Sequence, residues 1–293
     1  MKDNISNITE TIRIIKQNNL TLKKSLGQNF LVDSNILDKI INCSDIDRDT
    51  GVIEIGPGIG ALTQKLAQKA GKVVAIEIDQ SLIPILKDTL SDYKNIKIIN
   101  NDVLKVSLAD IISEEMKGLS KVQIVANLPY YITSPIIIKL LTDELNIDSI
   151  TILVQKEVAE RISAKPGGKA YGSLTILINY FAEVKLAFYV SKNVFIPKPK
   201  VDSAVLYLQI HKEPIIEIDN EDLFFKLIRT SFMHRRKTLY NNLAFNFFDK
   251  DEKKELNEIL IECKIDGIRR AETLSIEEFA NLANLINTKM LEI

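Results

Sequence analysis

Four consecutive residues, Asn127, Leu128, Pro129 and Tyr130, combine groups that suit an exocyclic amine on a planar ring. The side-chain oxygen of Asn127 and the backbone oxygen of Leu128 can accept the two hydrogens of an NH₂ group, so that the nitrogen lone pair points at an electrophilic methyl group. Pro129 has no amide hydrogen and restricts Leu128 to extended backbone. The ring of Tyr130 can stack on a base swung out of its helix. The alternative is an ordinary strand-to-helix turn, in which asparagine and proline are common.

A series of short apolar runs places this tetrapeptide at the end of a strand. The runs are VIEI (52–55), VVAIEI (73–78), IKII (96–99), VQIVAN (122–127) and SITILVQ (149–155). Amphipathic segments of helix length separate them, which predicts a parallel sheet covered on both faces. The predicted fold class is therefore α/β, of the open doubly wound kind, in which ligands bind at the carboxyl ends of the strands.

A glycine-rich loop follows the first run and opens a helix. Gly56, Gly58 and Gly60 give the spacing GxGxG, which is preceded by Glu54. Glycines allow the backbone to approach a ligand closely, and a loop between a strand and a helix is where such a sheet binds its ligand. The dinucleotide fingerprint GxGxxG places its third glycine one position later, so this loop departs from it.

Two acidic residues follow later strands of the predicted sheet. Glu77 lies about twenty residues beyond the glycine loop, where a carboxylate accepts hydrogen bonds from ribose hydroxyls. Asp102 follows the third run and can accept from an adenine amine. The alternative is that the loop is only a tight turn and both carboxylates are surface charges. Three features at successive strand ends favour a bound adenosine, without identifying the molecule that carries it.

The sequence pattern changes after Tyr180. Two further strands, AEVKLAFYV (182–190) and VDSAVLYLQI (201–210), are joined by the turn FIPKPK (195–200). From Glu221 onward the apolar spacing is helical, and Ser275 with Glu278 forms a capping box. Pro214 and polar neighbours interrupt the pattern, so we predict a ligand-binding domain over residues 1–213 and a small all-α domain over residues 214–293.

The composition limits the classes of function. The chain has 293 residues, 46% hydrophobic and 26% charged, which is ordinary for a globular protein. It contains no apolar run of the roughly 20 residues needed to span a bilayer, and its polar start lacks an export signal, so we expect a cytoplasmic location. Two cysteines and two histidines without a CxxC pair argue against a disulfide framework or a metal site. Because the net charge is −1, any nucleic-acid partner must be bound by local basic clusters.

The segment NLPYYITSP (127–135) resembles the amine-methylation motif of the KsgA (RsmA) family of ribosomal RNA adenine dimethyltransferases. The resemblance extends over nearly the whole chain through KKSLGQNFL (23–31), EIGPGIGALT (54–63), IEID (76–79), NDVL (101–104), FIPKPKVDSAV (195–205), FMHRRKTLYNNL (232–243) and RRAETLSIEEFANLAN (269–284). No motif position departs from the family pattern. The resemblance implies a Rossmann-like class I methyltransferase domain and dimethylation of the N6 amines of two adjacent adenosines near the 3′ end of 16S ribosomal RNA. It also implies S-adenosyl-L-methionine as cofactor, the small ribosomal subunit as partner, a contribution to its biogenesis, and a monomer.

The resemblance also assigns roles to individual residues. The implied cofactor-binding residues are Asn29, Leu31, Gly56, Glu77, Asp102 and Asn127. In that set Gly56 lies against the methionine portion, Glu77 holds the ribose and Asp102 contacts the adenine ring. The implied catalytic residues are Asn127, Leu128, Pro129, Tyr130 and Phe195, with the two rings on either side of the target adenine. Without the family, residues 28–30 are equally consistent with a helix-start loop that places Phe30 in the core.

Local basic groups are the candidate RNA contacts. They are Lys23, Lys24, Lys198, Lys200, Arg235 and Arg236. Each of them is also consistent with a solvated helix face or loop, and residues 235–237 are equally consistent with packing or pairing between the domains. We expect Arg269 and Arg270 to be structural.

Three rival functions make different predictions. A nicotinamide oxidoreductase needs GxGxxG and a hydride-handling residue, and the sequence has neither. A non-catalytic RNA-binding factor on the same scaffold does not need Asn127, Pro129 and Tyr130, although their presence is also compatible with a structural role alongside catalysis. The antibiotic-resistance methylases of large-subunit RNA resemble the cofactor half, but they typically carry isoleucine after the motif asparagine. This third class of protein carries out the same chemistry on a different RNA, that of the large ribosomal subunit.

Overall fold

The structure is a computed structural model that describes residues 5–23, 26–248 and 253–291. Lys24, one of the predicted RNA-binding residues, lies outside them. The chain forms two compact units, Met1–Ala159 with Val184–Ile210, and Glu160–Glu183 with His211–Ile293. The units differ from the sequence-based domains in grouping residues 160–183 with the C-terminal helices. The boundary between residues 213 and 214 stays a prediction.

Nine strands occur within the described ranges, and they form two sheets. The strands are β1 Phe30–Leu31, β2 Thr50–Ile55, β3 Lys72–Glu77, β4 Ile96–Asn100, β5 Lys121–Asn127, β6 Ser149–Gln155, β7 Ala182–Val190, β8 Phe195–Ile196 and β9 Ser203–Ile210. All five apolar runs are strands, β2 to β6, as predicted. Their β-branched side chains pack well on a pleated surface that is covered on both sides.

Twelve α-helices surround or follow these strands in the part of the chain that is described. They are α1 Ile8–Gln17, α2 Ser34–Cys43, α3 Ala61–Lys69, α4 Ile83–Thr89, α5 Leu108–Glu115, α6 Thr133–Thr142, α7 Lys156–Ile162, α8 Ser173–Phe181, α9 Glu221–Ser231, α10 Leu239–Asn246, α11 Lys253–Glu262 and α12 Ile276–Leu291. None of the helices in the described ranges has the length and apolar character needed to cross a membrane.

The large sheet has the strand order β4-β3-β2-β5-β6-β9-β7. The five strands β4, β3, β2, β5 and β6 are parallel, whereas β9 pairs antiparallel with β6. The chain proceeds outward from β2 to β4 and then returns to the other side of β2 with β5. The carboxyl ends of β2 and β5 therefore meet at a topological switch point, where open α/β sheets bind their ligands.

A second, two-stranded sheet joins distant parts of the chain. Phe30 pairs with Ile196 and Leu31 with Phe195 in antiparallel register. The sequence predicted only a turn at residues 195–200, because a two-residue strand is too short to show an alternating pattern. The pairing fixes the segment that precedes α2 against the segment that precedes β9.

The second compact unit has its own apolar core. Phe224 and Phe279 are fully buried there, and Tyr180 of α8 packs against Phe224 with its hydroxyl donating to Glu221 at 2.7 Å. These contacts explain why residues 160–183 group with the C-terminal helices. The predicted capping box is confirmed at α12, where the Ser275 amide donates to Glu278 Oε2 at 2.8 Å and the Glu278 amide to Ser275 Oγ at 3.2 Å.

Candidate active site

A cleft of about 1060 Å³, including its opening to solvent, lies at the carboxyl ends of β2, β3 and β5. Its wall includes the six residues implied to bind the cofactor and the tetrapeptide at 127–130. Four of the five segments that supply these residues follow parallel strands and converge here because parallel strands present their carboxyl ends at one edge of the sheet. Phe195 is not part of the wall.

The glycine loop forms the floor of the cleft beside β2. Gly56, Gly58 and Gly60 have φ values of 71°, 61° and 94°, a region that side chains other than glycine rarely adopt. A Cβ at Gly58 would lie 2.9 Å from the ring of Phe30, so a larger residue there would require that ring to shift. A Cβ at Gly56 would meet no atom nearer than 3.9 Å. The open side of Gly56 lets a ligand approach its backbone.

Glu77 holds its carboxylate at the end of β3 through backbone bonds. One oxygen accepts from the Gly58 amide at 3.2 Å, and the other accepts from the Asp79 amide at 2.8 Å. Burial raises the pKa of Glu77 to about 7, although these amide bonds favour the ionised form. Each oxygen retains capacity for one more donor, as two adjacent ribose hydroxyls would require.

Glu54 is a second buried acid on the cleft wall, and sequence reasoning assigned it no role. Its side chain is 1% exposed, and no donor among the described residues reaches its Oε2. Burial and then the nearby charge of Glu77 raise the pKa of Glu54 to about 8. A buried polar atom without a partner costs free energy, so this oxygen is suited to a ligand that donates to it. Its position two residues before Gly56, the first glycine of the loop, was the available sequence signal.

Asn127 has its carboxamide orientation fixed by one bond. Its Nδ2 donates to the backbone oxygen of Asn29 at 3.0 Å. A carbonyl oxygen can only accept, so the NH₂ end must face it and Oδ1 must face away. Neither Oδ1 nor the Leu128 oxygen receives a donor from the residues that the structure describes. The two acceptors expected for an exocyclic amine are therefore available.

Tyr130 is held at the rim of the cleft. Its hydroxyl lies 2.7 Å from Ser203 Oγ at the start of β9, and burial raises its pKa. The preceding Pro129 has φ −60° and ψ 128°, and its oxygen accepts from Thr133 Oγ1 at 3.1 Å. Because the hydroxyl and the backbone are both anchored, the ring has a defined position for stacking on a base.

Phe195 lies in the apolar core and is not part of the cleft wall. Its side chain is 3% exposed and belongs to the core that also contains Leu31, its partner in the small sheet. The sandwich of the target base by Tyr130 and Phe195 therefore stays a prediction. Tyr131, which is 54% exposed, is the second aromatic side chain of the NLPYY segment on the cleft wall, and sequence reasoning did not single it out.

Asp102 lies at the cleft end of the chain segment that follows β4. One of its oxygens accepts from the Leu104 amide at 3.0 Å, which fixes a turn and places Val103 beside it on the wall. The carboxylate is half-buried. This geometry leaves the second oxygen of Asp102 for a ligand amine.

The predicted RNA-binding residues have different surroundings. Lys198, Lys200 and Arg236 are exposed. Lys23 is paired with the buried carboxylate of Asp79 at 2.7 Å, and Arg235 donates to the Lys169 oxygen at 2.6 Å and lies 3.2 Å from Glu272. Lys23 and Arg235 therefore have structural partners, and an RNA contact by any of these residues stays a prediction. Within the described ranges, no cluster of three or more His, Cys, Asp or Glu residues could hold a metal ion.

The chain is similar over its full length to proteins named ribosomal RNA small subunit methyltransferase A. The Listeria innocua protein is 54% identical over 288 residues, and the Bacillus pumilus protein is 50% identical over 287 residues. Each match covers 98% of this chain and 98% of the relative.

Two solved structures share the fold. A dimethyladenosine transferase from Plasmodium falciparum has a TM-score of 0.75 and 29% identity, covering 88% of this chain and 97% of that one. The 23S ribosomal RNA methyltransferase ErmE has a TM-score of 0.66 and 25% identity, covering 88% and 99%. The sheet order and these likenesses identify a Rossmann-like methyltransferase fold. The model of the ribosomal RNA adenine dimethylase family matches residues 19–286, and this chain belongs to that family.

Proposed function

We propose that the protein uses S-adenosyl-L-methionine to dimethylate the N6 amines of two adjacent adenosines near the 3′ end of 16S ribosomal RNA. The observation that carries this proposal is the orientation of Asn127. Its Nδ2 is bonded to Asn29, so its Oδ1 and the Leu128 oxygen remain as a pair of acceptors at the mouth of a cleft lined by acids. The family membership and the names of the full-length relatives agree with it.

The cleft residues fit S-adenosylmethionine. The unpartnered Oε2 of Glu54 suits the ammonium group of an amino acid, and the remaining capacity of Glu77 suits ribose hydroxyls. The open side of Gly56 suits close approach of the ligand to the backbone. When bound, this cofactor supplies a methyl group on a positively charged sulfur.

The protein's own contribution is positioning. An adenine amine is a weak nucleophile because its lone pair is delocalised into the ring. Two acceptors, Asn127 Oδ1 and the Leu128 oxygen, would bind its hydrogens and hold the lone pair toward the methyl group, which are proximity and preorganised-dipole effects. The methylated nitrogen then loses its extra proton to water, so no histidine or cysteine is needed as a strong base.

The RNA must reach this cleft with its target base unstacked. Tyr130 provides an anchored ring for the base, because its hydroxyl is hydrogen-bonded to Ser203. Lys198 and Lys200 are exposed and lie in the chain segment that leads to Ser203. Lysines there would neutralise phosphates of the flanking nucleotides. We infer that the partner is the small ribosomal subunit and that the protein acts as a monomer in the cytoplasm.

One experiment tests the reaction and its RNA together. Purified protein is incubated with labelled S-adenosylmethionine and with small or large subunits from a strain that lacks this methylation, and the modified bases are mapped. We expect two adjacent N6,N6-dimethyladenosines in 16S RNA. Absence of label in adenine would exclude the enzyme function. Label in 23S RNA would instead assign the protein the activity named for ErmE.

The two buried acids predict that cofactor binding depends on pH. The pKa values are about 7 for Glu77 and about 8 for Glu54. Without ligand, both carboxyls are therefore protonated at about pH 5.5, and Glu77 has largely lost its proton by about pH 7.5. A ligand that donates to the ionised forms must displace those protons, so its affinity rises with pH, by up to about tenfold per pH unit for each proton released. We expect calorimetry with S-adenosylhomocysteine in buffers of different ionisation enthalpy to show proton release.

Glu54→Gln is the control for this dependence. It removes one titrating group and should reduce the number of protons released on binding. An affinity that does not vary over the same pH range would contradict the prediction. The stability of the ligand-free protein should change with pH in the opposite direction, because the pKa values of both acids in the folded state exceed the ordinary Glu value of 4.5. Its free energy of unfolding should fall as the pH rises from about 4.5 to 8.

A further inference from the structure

We propose that Asp79 is a positioning residue that fixes the loop of residues 26–29 against the cleft and thereby orients Asn127. The proposal rests on the proposed function, because the orientation of Asn127 matters only if Asn127 binds the target amine. Asp79 follows the ribose-binding Glu77 by two residues, and neither the sequence nor the resemblance assigned it a role.

Asp79 is a buried carboxylate with four donors. Its Oδ1 accepts from Lys23 Nζ at 2.7 Å, from the Ser81 amide at 3.0 Å and from Ser81 Oγ at 2.6 Å, and its Oδ2 accepts from Gln28 Nε2 at 2.7 Å. Burial alone would raise the pKa of Asp79, but the bonds from Lys23, Ser81 and Gln28 outweigh it and hold the pKa at about 2. The carboxylate is therefore fully ionised at neutral pH, and two of its donors come from a distant part of the sequence.

Gln28 connects Asp79 to the loop through its side-chain amide. While its Nε2 is held by Asp79, its Oε1 accepts from the Lys23 amide at 2.9 Å, so both ends of the side-chain amide are bonded. Gln28 lies outside any strand or helix. Its position is therefore determined by these side-chain bonds rather than by a backbone ladder.

The loop in turn contacts the catalytic tetrapeptide. The backbone oxygen of Asn29, the residue after Gln28, accepts from Asn127 Nδ2 at 3.0 Å. Gly27, the residue before it, has φ 61°, and a Cβ there would lie 3.3 Å from the Tyr131 ring and 3.5 Å from Pro129. Displacement of Gln28 would therefore move both the bond that orients Asn127 and the packing beside it.

Asp79 is also connected to the cofactor side of the cleft. Its own amide donates to Glu77 Oε1 at 2.8 Å. Asp79 thus holds the proposed ribose acceptor through its backbone and the loop through its side chain. Loss of the side-chain bonds should affect the loop first, because the backbone bond to Glu77 remains available to any residue at position 79.

The test replaces Asp79 by asparagine. An asparagine side chain has one acceptor oxygen and one NH₂ group. In one orientation its NH₂ group would face Gln28 Nε2, and in the other it would face the donors of Lys23 and Ser81, so one set of hydrogen bonds is lost in either case. We expect about a tenfold rise in the KM for S-adenosylmethionine and about a tenfold fall in kcat for RNA methylation, since charge-assisted hydrogen bonds are lost in the loop. Gln28→Ala, which leaves Asp79 paired with Lys23 and Ser81, should change both constants in the same direction by about threefold.

A second substitution at position 28 provides the rescue. In Asp79→Asn with Gln28→Glu, the asparagine NH₂ faces a carboxylate, and the other oxygen of that carboxylate accepts from the Lys23 amide. We expect this double variant to recover both constants to within about threefold of the wild type, whereas a merely structural role for Asp79 predicts no such recovery. Asp143→Asn is the matched control, because it removes an exposed pair with Lys139 on α6 and should leave both constants unchanged.

The outcomes separate this proposal from the proposed function. A wild type that fails to bind S-adenosylhomocysteine or to methylate RNA would refute the function. An active wild type with Asp79→Asn constants within twofold of it, or a double variant no better than the single one, would overturn the role of Asp79. If Asp79→Asn does not fold, unchanged constants for Gln28→Ala would overturn it as well.

Discussion

Replacement of Asn127 by alanine will lower methyl transfer to adenine by about 100-fold or more and will weaken cofactor binding by only a few fold. The alanine variant loses the oxygen that polarises the target amine, and removal of one preorganised hydrogen-bonding group from a transition state typically costs this much. Cofactor binding still has Glu54, Glu77 and the glycine loop. Single-turnover methylation and calorimetry with S-adenosylhomocysteine measure the two effects separately.

Asn127→Asp is the sharper variant at the same position. It keeps an oxygen toward the cleft but places the second oxygen 3.0 Å from the Asn29 oxygen, where the NH₂ group donates in the wild type. Two acceptors cannot share a hydrogen bond, so we expect Asn127→Asp to lower the rate of methyl transfer nearly as much as Asn127→Ala does. A wild-type rate of methyl transfer in either variant would show that Asn127 has no role in the mechanism.

The Glu77→Gln variant will bind S-adenosylmethionine about 100-fold more weakly. Glutamine is nearly isosteric, but its NH₂ group would face the amide of either Gly58 or Asp79, both of which donate to the carboxylate. The variant therefore loses a charged acceptor for ribose and one of its own anchors, and each hydrogen bond to a charged group contributes about 1.5–3 kcal/mol. A tenfold change in affinity corresponds to about 1.4 kcal/mol.

The kinetic pattern of this variant should differ from that of Asn127→Ala. At saturating cofactor we expect kcat to recover to within a few fold of the wild type, because Glu77 contacts neither the target base nor Asn127 in the proposed mechanism. A low kcat that no cofactor concentration restores would contradict the assignment of Glu77 to binding. Glu115→Gln is the control, since it removes a half-buried acid that pairs with Lys72 and Lys97, toward the end of the sheet opposite Glu77.

The sequence predicted the part of the fold that depends on local pattern. The β-branched runs at β2 to β6 required burial on both faces, and this requirement implied the parallel sheet. The placement of the cleft followed from the same pattern, because residues that end neighbouring parallel strands must lie together. Gly56, Glu77, Asp102 and Asn127 therefore reached one cleft wall as expected.

The rest of the site depends on contacts between distant residues, which no local pattern contains. The ion pair between Lys23, a predicted RNA-binding residue, and Asp79 is one such contact. The burial of Phe195 follows from a strand pair too short for periodicity to show. The grouping of α8 with the C-terminal helices depends on side-chain packing of Tyr180, which an amphipathic pattern alone cannot assign to one core or another.

The pairing of β1 with β8 has a consequence for the order in which the protein can be assembled. Leu31 lies near the start of the chain, and Phe195 lies beyond β6. Formation of such a distant contact requires closure of a long loop, which costs entropy before any bond forms. During synthesis, the residues before α2 cannot take their final place until the ribosome has released the proline-rich turn. A truncated chain that ends before residue 195 would therefore contain every segment that carries a proposed cofactor-binding residue, but its β1 would lack a pairing partner.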